Sequence, residues 1–74
     1  MNNSLEHIEF ENSSTIISVD YDYLMENLDV HFRNGGTYRF CGVPKTILEE
    51  IKSVESIGKY FHQNIKNKFD FIKK

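Results

Sequence analysis

Lysines at matched spacing are the first residues with chemistry to offer. Lys59 and Lys66 lie seven positions apart, as do Lys45 and Lys52. Seven residues make about two helical turns, so each pair falls on one helix face. His62 and Gln63 fill the stripe beside Lys59 and Lys66, and Lys68, Lys73 and Lys74 follow. An ammonium on a flexible stem suits phosphate oxygens, which makes this stretch a candidate surface for RNA or another polyanion. The competing reading is a solvated helix face, since such faces commonly carry lysine. Arg33 and Arg39 flank Asn34-Gly35-Gly36. They can grip a phosphate or carboxylate from outside, or Arg39 can pair across strands with Asp29 or Asp20. The second reading is favoured, because the open face of a sheet has to be polar anyway.

Other chemistries lack their parts. His7, His31, His62 and Cys41 include no close-spaced ligand pair of the Cys-x-x-Cys or His-x-x-x-His kind, so no metal is expected. Cys41 has only His31 as a candidate base. Asn34-Gly35-Gly36 sits in a hairpin rather than before a helix, so it is no phosphate loop. The expectation is a non-catalytic domain with no cofactor.

The elements that position these residues come from period. Ile17, Val19, Tyr21 and Tyr23 alternate with Ile16, Ser18, Asp20 and Asp22. Leu28, Val30 and Phe32 repeat the pattern, then Tyr38 and Phe40. These predict three half-buried antiparallel strands. Ile8 and Phe10 suggest a short extra N-terminal strand, and residues 1–7 read as a disordered leader before a single domain over 8–74. Parity is expected to set Phe32 opposite Tyr38 and Val30 opposite Phe40, leaving Asn34-Gly35-Gly36 as a three-residue loop with a left-handed glycine. In the first hairpin Tyr21 is expected opposite Val30, with a four-residue loop from Leu24 to Asn27.

After Gly42-Val43-Pro44 the period changes to that of a helix. Pro44 suits a first turn, and Thr46 with Glu49 forms a capping-box pair. Ile47, Leu48, Ile51 and Val54 make one apolar stripe; Ser56 is placed as the N-cap of a second helix whose stripe is Ile57, Tyr60, Phe61 and Ile65. A heptad through Ile47, Ile51, Val54, Gly58, Phe61 and Ile65 is the one-helix alternative. Phe69, Phe71 and Ile72 are expected to pack back on the domain. The predicted class is α+β, with a three-stranded β-meander and two helices on one sheet face. Tyr38 and Phe40 then face the helices as core rather than forming a base-stacking platform, and the Tyr38 hydroxyl needs an internal partner.

Composition agrees with a small binding domain. Seventy-four residues allow one core. One cysteine excludes an internal disulfide and suits a reducing cytoplasm. The sequence has no apolar run of the ~20 residues that a membrane span needs. Residues 1–37 hold one base against seven acids, and residues 38–74 hold eight bases against four acids. Such asymmetry suits either a polyanion at the basic half or the pairing of two copies.

Taken in order, Ser13-Ser14-x-Ile16, Tyr21-Asp22, Leu28-x-Val30-x-Phe32, Gly35-Gly36-x-Tyr38-x-Phe40, Val43-Pro44 and Ser56-x-Gly58-x-Tyr60-Phe61 resemble the KTSC domain family. The family takes its name from an extension at the C-terminus of some lysyl-tRNA synthetases, and it also occurs as small stand-alone bacterial and phage proteins. The resemblance marks Tyr21, Gly35, Tyr38, Phe40, Pro44, Gly58, Tyr60 and Phe61 as structural motif residues. The family's Tyr-x-Tyr reads Tyr38-Arg39-Phe40 here, without the second hydroxyl; His62 stands in place of an asparagine and Asp70 in place of a proline. What the resemblance implies is the fold and, through the synthetase context, RNA as a partner. Arg33, Arg39, Lys59, His62, Lys66 and Lys68 are the candidate contacts. The alternative is a protein-interaction module or homodimer using the open sheet face or a strand edge.

Overall fold

The structure is a computed structural model and describes residues 4–74. Its elements are β1 (Leu5–Glu9), β2 (Ile16–Asp22), β3 (Asn27–Phe32), β4 (Thr37–Phe40), α1 (Lys45–Ile51), α2 (Ile57–Asn64) and β5 (Phe71–Lys73). The strands form one antiparallel sheet in the order β1-β2-β3-β4-β5. The expected three-stranded meander is thus its centre, widened by an edge strand on each side. Both helices lie in the connection between β4 and β5. Of the expected leader, residues 1–3 lie outside the described residues, while Leu5, Glu6 and His7 belong to β1. Strand pairing overrides their polar composition: Glu6 faces Tyr21 and Ile8 faces Val19.

Both hairpins keep the expected face parity but shift register by two residues. Val30 pairs with Tyr38 and Leu28 with Phe40. The three-residue loop is therefore Arg33-Asn34-Gly35, closed by the Phe32 N–H to the Gly36 carbonyl at 2.8 Å. Gly35 holds φ 102°, a left-handed position that glycine adopts without a Cβ clash. In the first hairpin Tyr21 pairs with Leu28 and Val19 with Val30, so the loop runs from Tyr23 to Glu26. Glu26 takes the left-handed position at φ 57°. A β-bulge between Ile16 and Ser18 reverses the expected orientation at the start of β2. Ile16 is buried in the core and Ile17 is 41% exposed, because the extra residue flips the faces on one side of it.

The core joins Ile16, Val19, Tyr21, Leu28, Val30 and Phe40 from the sheet to Val43, Leu48, Ile51, Ile57, Phe61 and Ile65. Two helices form rather than one. Ser56 caps α2, its hydroxyl accepting the Lys59 N–H at 3.2 Å. The expected Thr46–Glu49 box does not form. Pro44 is itself the N-cap of α1, with extended backbone at ψ 156° and no side-chain cap bond. Its ring fixes φ and its missing N–H leaves no donor to satisfy. Gly58 of α2 passes the 12–15 loop, where a Cβ would meet Thr15 Oγ1 at 3.5 Å, an ordinary contact.

Candidate nucleic-acid interface

Beyond α2 the sheet is wider than the helices cover. A groove of ≈ 600 Å³ runs between the strands and α2. Phe32, Tyr38, Phe40 and Phe71 line its strand side, and Lys59, His62 and Lys66 line it from α2 and the turn after it. Thr15, Asn34, Ser56 and Asn67 add to its polar lining. The aromatic rings pack on one another: Phe32–Tyr38 at 5.7 Å and Phe40–Phe61 at 5.4 Å, both edge to face. Phe71 sits 5.6 Å from Tyr38 and 5.4 Å from Phe40 in tilted geometry. Phe40 is buried, Tyr38 partly so, and Phe71 is 50% exposed. Tyr38 thus faces the helix side as expected, yet it lines the groove and its hydroxyl has no hydrogen-bond partner among the described residues. Tyr38 lies one strand in from the β5 edge, paired with Lys73 and packed beside Phe71.

The six expected contacts divide. Lys59, His62 and Lys66 come together in the groove. Lys68 lines an adjoining depression that shares Asn67 and Phe71 with it. Among the described residues no ion pair engages Lys59, Lys66 or Lys68. Lys52 differs: its Nζ lies 2.9 Å from Glu6 and 3.6 Å from Glu49. Arg33 is spent on structure, donating from Nε to the Ser13 carbonyl at 2.5 Å and from a terminal nitrogen to the Phe10 carbonyl at 3.0 Å. Arg39 lies on the opposite sheet face and grips Asp29 through two bonds, at 2.8 and 3.1 Å. Phe71 and Asn67 were not legible as contacts. Phe71 acquires its place only through pairing with Phe40, although the Phe69-Asp70-Phe71 alternation is a weak strand signal.

The open sheet face is an ion-pair web. His7 Nδ1 lies 2.6 Å from one Asp20 oxygen, and His31 Nε2 2.6 Å from the other. His31 Nδ1 meets the Thr37 hydroxyl at 3.0 Å, and Lys74 joins Arg39 at Asp29. Burial pushes the Asp29 carboxyl up, but Arg39 and Lys74 more than offset this and hold it below its ordinary value. Asp20 behaves alike, with burial opposed by His7 and His31 and a net lowering. The remaining motif residues support the frame. The Tyr21 hydroxyl donates to the Val43 carbonyl at 2.6 Å. Tyr60 donates to Glu50, and burial together with that carboxylate pushes its phenol up to about 12. Among the described residues no group of three or more His, Cys, Asp or Glu is arranged to hold a metal ion. Among the described residues no helix is long and apolar enough to cross a membrane.

A five-stranded antiparallel sheet with two helices inserted before its last strand defines a small α+β domain. The chain belongs to the KTSC domain family, whose model matches residues 12–69. A KTSC domain protein from Yersinia pestis, known from its crystal structure, superposes with a TM-score of 0.87 at 34% identity, covering 95% of this chain and 97% of that one. A lysine–tRNA ligase from Trichormus variabilis is 37% identical over 51 residues, 69% of this chain, and the match spans only 9% of the ligase. An uncharacterised protein from Stutzerimonas stutzeri is 33% identical over 54 residues, 73% of this chain and 76% of its own length.

Proposed function

We propose that the domain is a non-catalytic binding module of the cytoplasm that holds RNA, or a similar polyanion, in the groove between α2 and β4–β5. The observation that carries this reading is the meeting of Lys59, His62 and Lys66, without carboxylate partners among the described residues, with exposed aromatic surface. A cationic groove lined by aromatic rings is the usual equipment for holding a nucleic-acid strand. The relatives named lysine–tRNA ligases lend support, since tRNA is in their name. Electrostatic contacts dominate such binding, so affinity must fall with salt. Fluorescence anisotropy with labelled total RNA tests this. If Lys59 and Lys66 each neutralise one phosphate, affinity falls roughly tenfold between 50 and 200 mM salt. The double variant Lys59→Glu, Lys66→Glu abolishes the signal. Absent or salt-insensitive binding refutes the proposal.

A protein-interaction reading rests on the two outer strands, β1 and β5, each paired on one side only among the described residues. Such edges are templates for another strand. The ion-pair web makes the open face a weaker candidate than the edges. A strictly monomeric species in light scattering at high concentration counts against self-pairing.

A further inference from the structure

Cationic attraction alone does not account for the groove. Phe71 is half exposed beside Tyr38 and Phe40, and the Tyr38 hydroxyl and the Asn67 amide have no hydrogen-bond partners among the described residues. A duplex leaves the exposed aromatic surface unused, because its base faces are already stacked and it offers mainly phosphates and base edges. An unpaired nucleotide has a free π-face and free base edges. The groove, at ≈ 600 Å³, falls in the ~300–1,000 Å³ range of sites that enclose small molecules. It therefore suits a nucleotide rather than a helix laid across it. Lys59 and Lys66 on the opposite wall supply the charge that flanking phosphates need, so polarity and shape select the same ligand.

We infer that the groove takes an unstacked nucleotide of a single-stranded nucleic acid, with its base against Phe71 and Tyr38 and its flanking phosphates at Lys59 and Lys66. This rests on the polyanion reading above and narrows it to a strand with accessible bases.

The experiment compares four probes on the intact chain by anisotropy and competition: a labelled oligoadenylate, the same strand with an abasic position at each nucleotide, a blunt duplex, and heparin as a base-free polyanion. The oligoadenylate is expected to bind about tenfold more tightly than the abasic strand, the range that stacking on an aromatic ring supplies. Phe71→Leu, which keeps β5 apolar, is expected to remove that advantage and leave heparin binding unchanged. Running the strand in ribo and deoxy form tells RNA from DNA. Equal affinity for intact strand, abasic strand and duplex, all lost in Lys59→Glu, overturns the inference while the polyanion reading stands. No binding of any probe overturns both. The abasic comparison needs no substitution, so it decides the matter even if Phe71→Leu fails to fold.

Discussion

Tyr21 shows how one side chain can be both core and connector. Its ring is 1% exposed, and its hydroxyl reaches across to the Val43 carbonyl at 2.6 Å. On the other side of the same residue, the Val43 N–H donates to the Glu26 carbonyl at 2.9 Å. The turn that launches α1 is thereby fastened to the end of the β2–β3 hairpin through both of Val43's backbone groups. Tyr21→Phe keeps the packing and leaves a buried carbonyl without its donor, which costs about 1–2 kcal/mol. Urea unfolding should show a lower midpoint with an unchanged slope, since the surface exposed on unfolding is the same. An unchanged midpoint would mean that water replaces the hydroxyl at no cost. Arg39 was legible in the sequence as a partner for Asp29, because both alternate onto the polar face of adjacent strands. The fate of Arg33 was not legible, since its acceptors are the Phe10 and Ser13 carbonyls of a loop folded over from β1.

Faces of elements can be read from sequence more readily than their registers. A period-two pattern is unchanged by a shift of two residues, so Tyr38 and Phe40 pointed correctly while each paired two positions from expectation. The bulge in β2 was hidden for a different reason: Ile16 and Ile17 are identical side chains, and either one can be the buried one. The structure gives them opposite fates, which a pair of truncations resolves. Ile16→Ala should destabilise by about 2–5 kcal/mol through lost burial and a cavity. Ile17→Ala should stay within about 0.5 kcal/mol. Equal effects in thermal or denaturant unfolding would argue against the bulge. The strand β5 is hard to read because Phe71–Lys73 does not itself alternate, the weak Phe69-Asp70-Phe71 signal lies mostly before it, and its partner β4 lies some thirty positions earlier in the chain. The groove was half legible for the same reason: the lysine spacing on α2 can be read from sequence, but Phe71 joins the aromatic wall opposite it only once β5 has paired.

Across the whole molecule, folding pairs some carboxylates of residues 1–37 with cations, two of them with cations of the basic half. Glu6 holds Lys52, Asp29 holds Arg39 and Lys74, and Asp20 lies between His7 and His31. Among the described residues Lys59, Lys66 and Lys68 have no such partner and collect around α2 and the turn after it, while Lys45 and Lys73, also without one, lie elsewhere. The web also sets the pH range of stability. Glu6 is lowered by hydrogen bonds from Tyr23 and Lys52, and Asp20 and Asp29 are also lowered. Their contributions are present above the ordinary carboxylate range near ~4 and vanish as pH falls through the depressed values. His7 runs the other way. Both of its ring nitrogens meet carboxylates, Asp20 at 2.6 Å and Glu9 at 3.2 Å. A neutral imidazole has a single N–H, so only the imidazolium can donate to both. Those hydrogen bonds, to Asp20 first and then Glu9, raise its pKa. Its contribution is complete below ~6.5 and is lost as pH rises through the elevated value. Stability should therefore peak in mildly acidic solution, between the carboxylate and imidazole transitions, and decline on either side. Thermal midpoints measured from acid to mildly alkaline pH should show that maximum. In His7→Gln the alkaline decline should flatten while the acid limb, set by the carboxylates, remains. A wild-type curve level through neutrality, or a variant that keeps the full alkaline decline, would show that β1 is not held to the sheet by a charged His7.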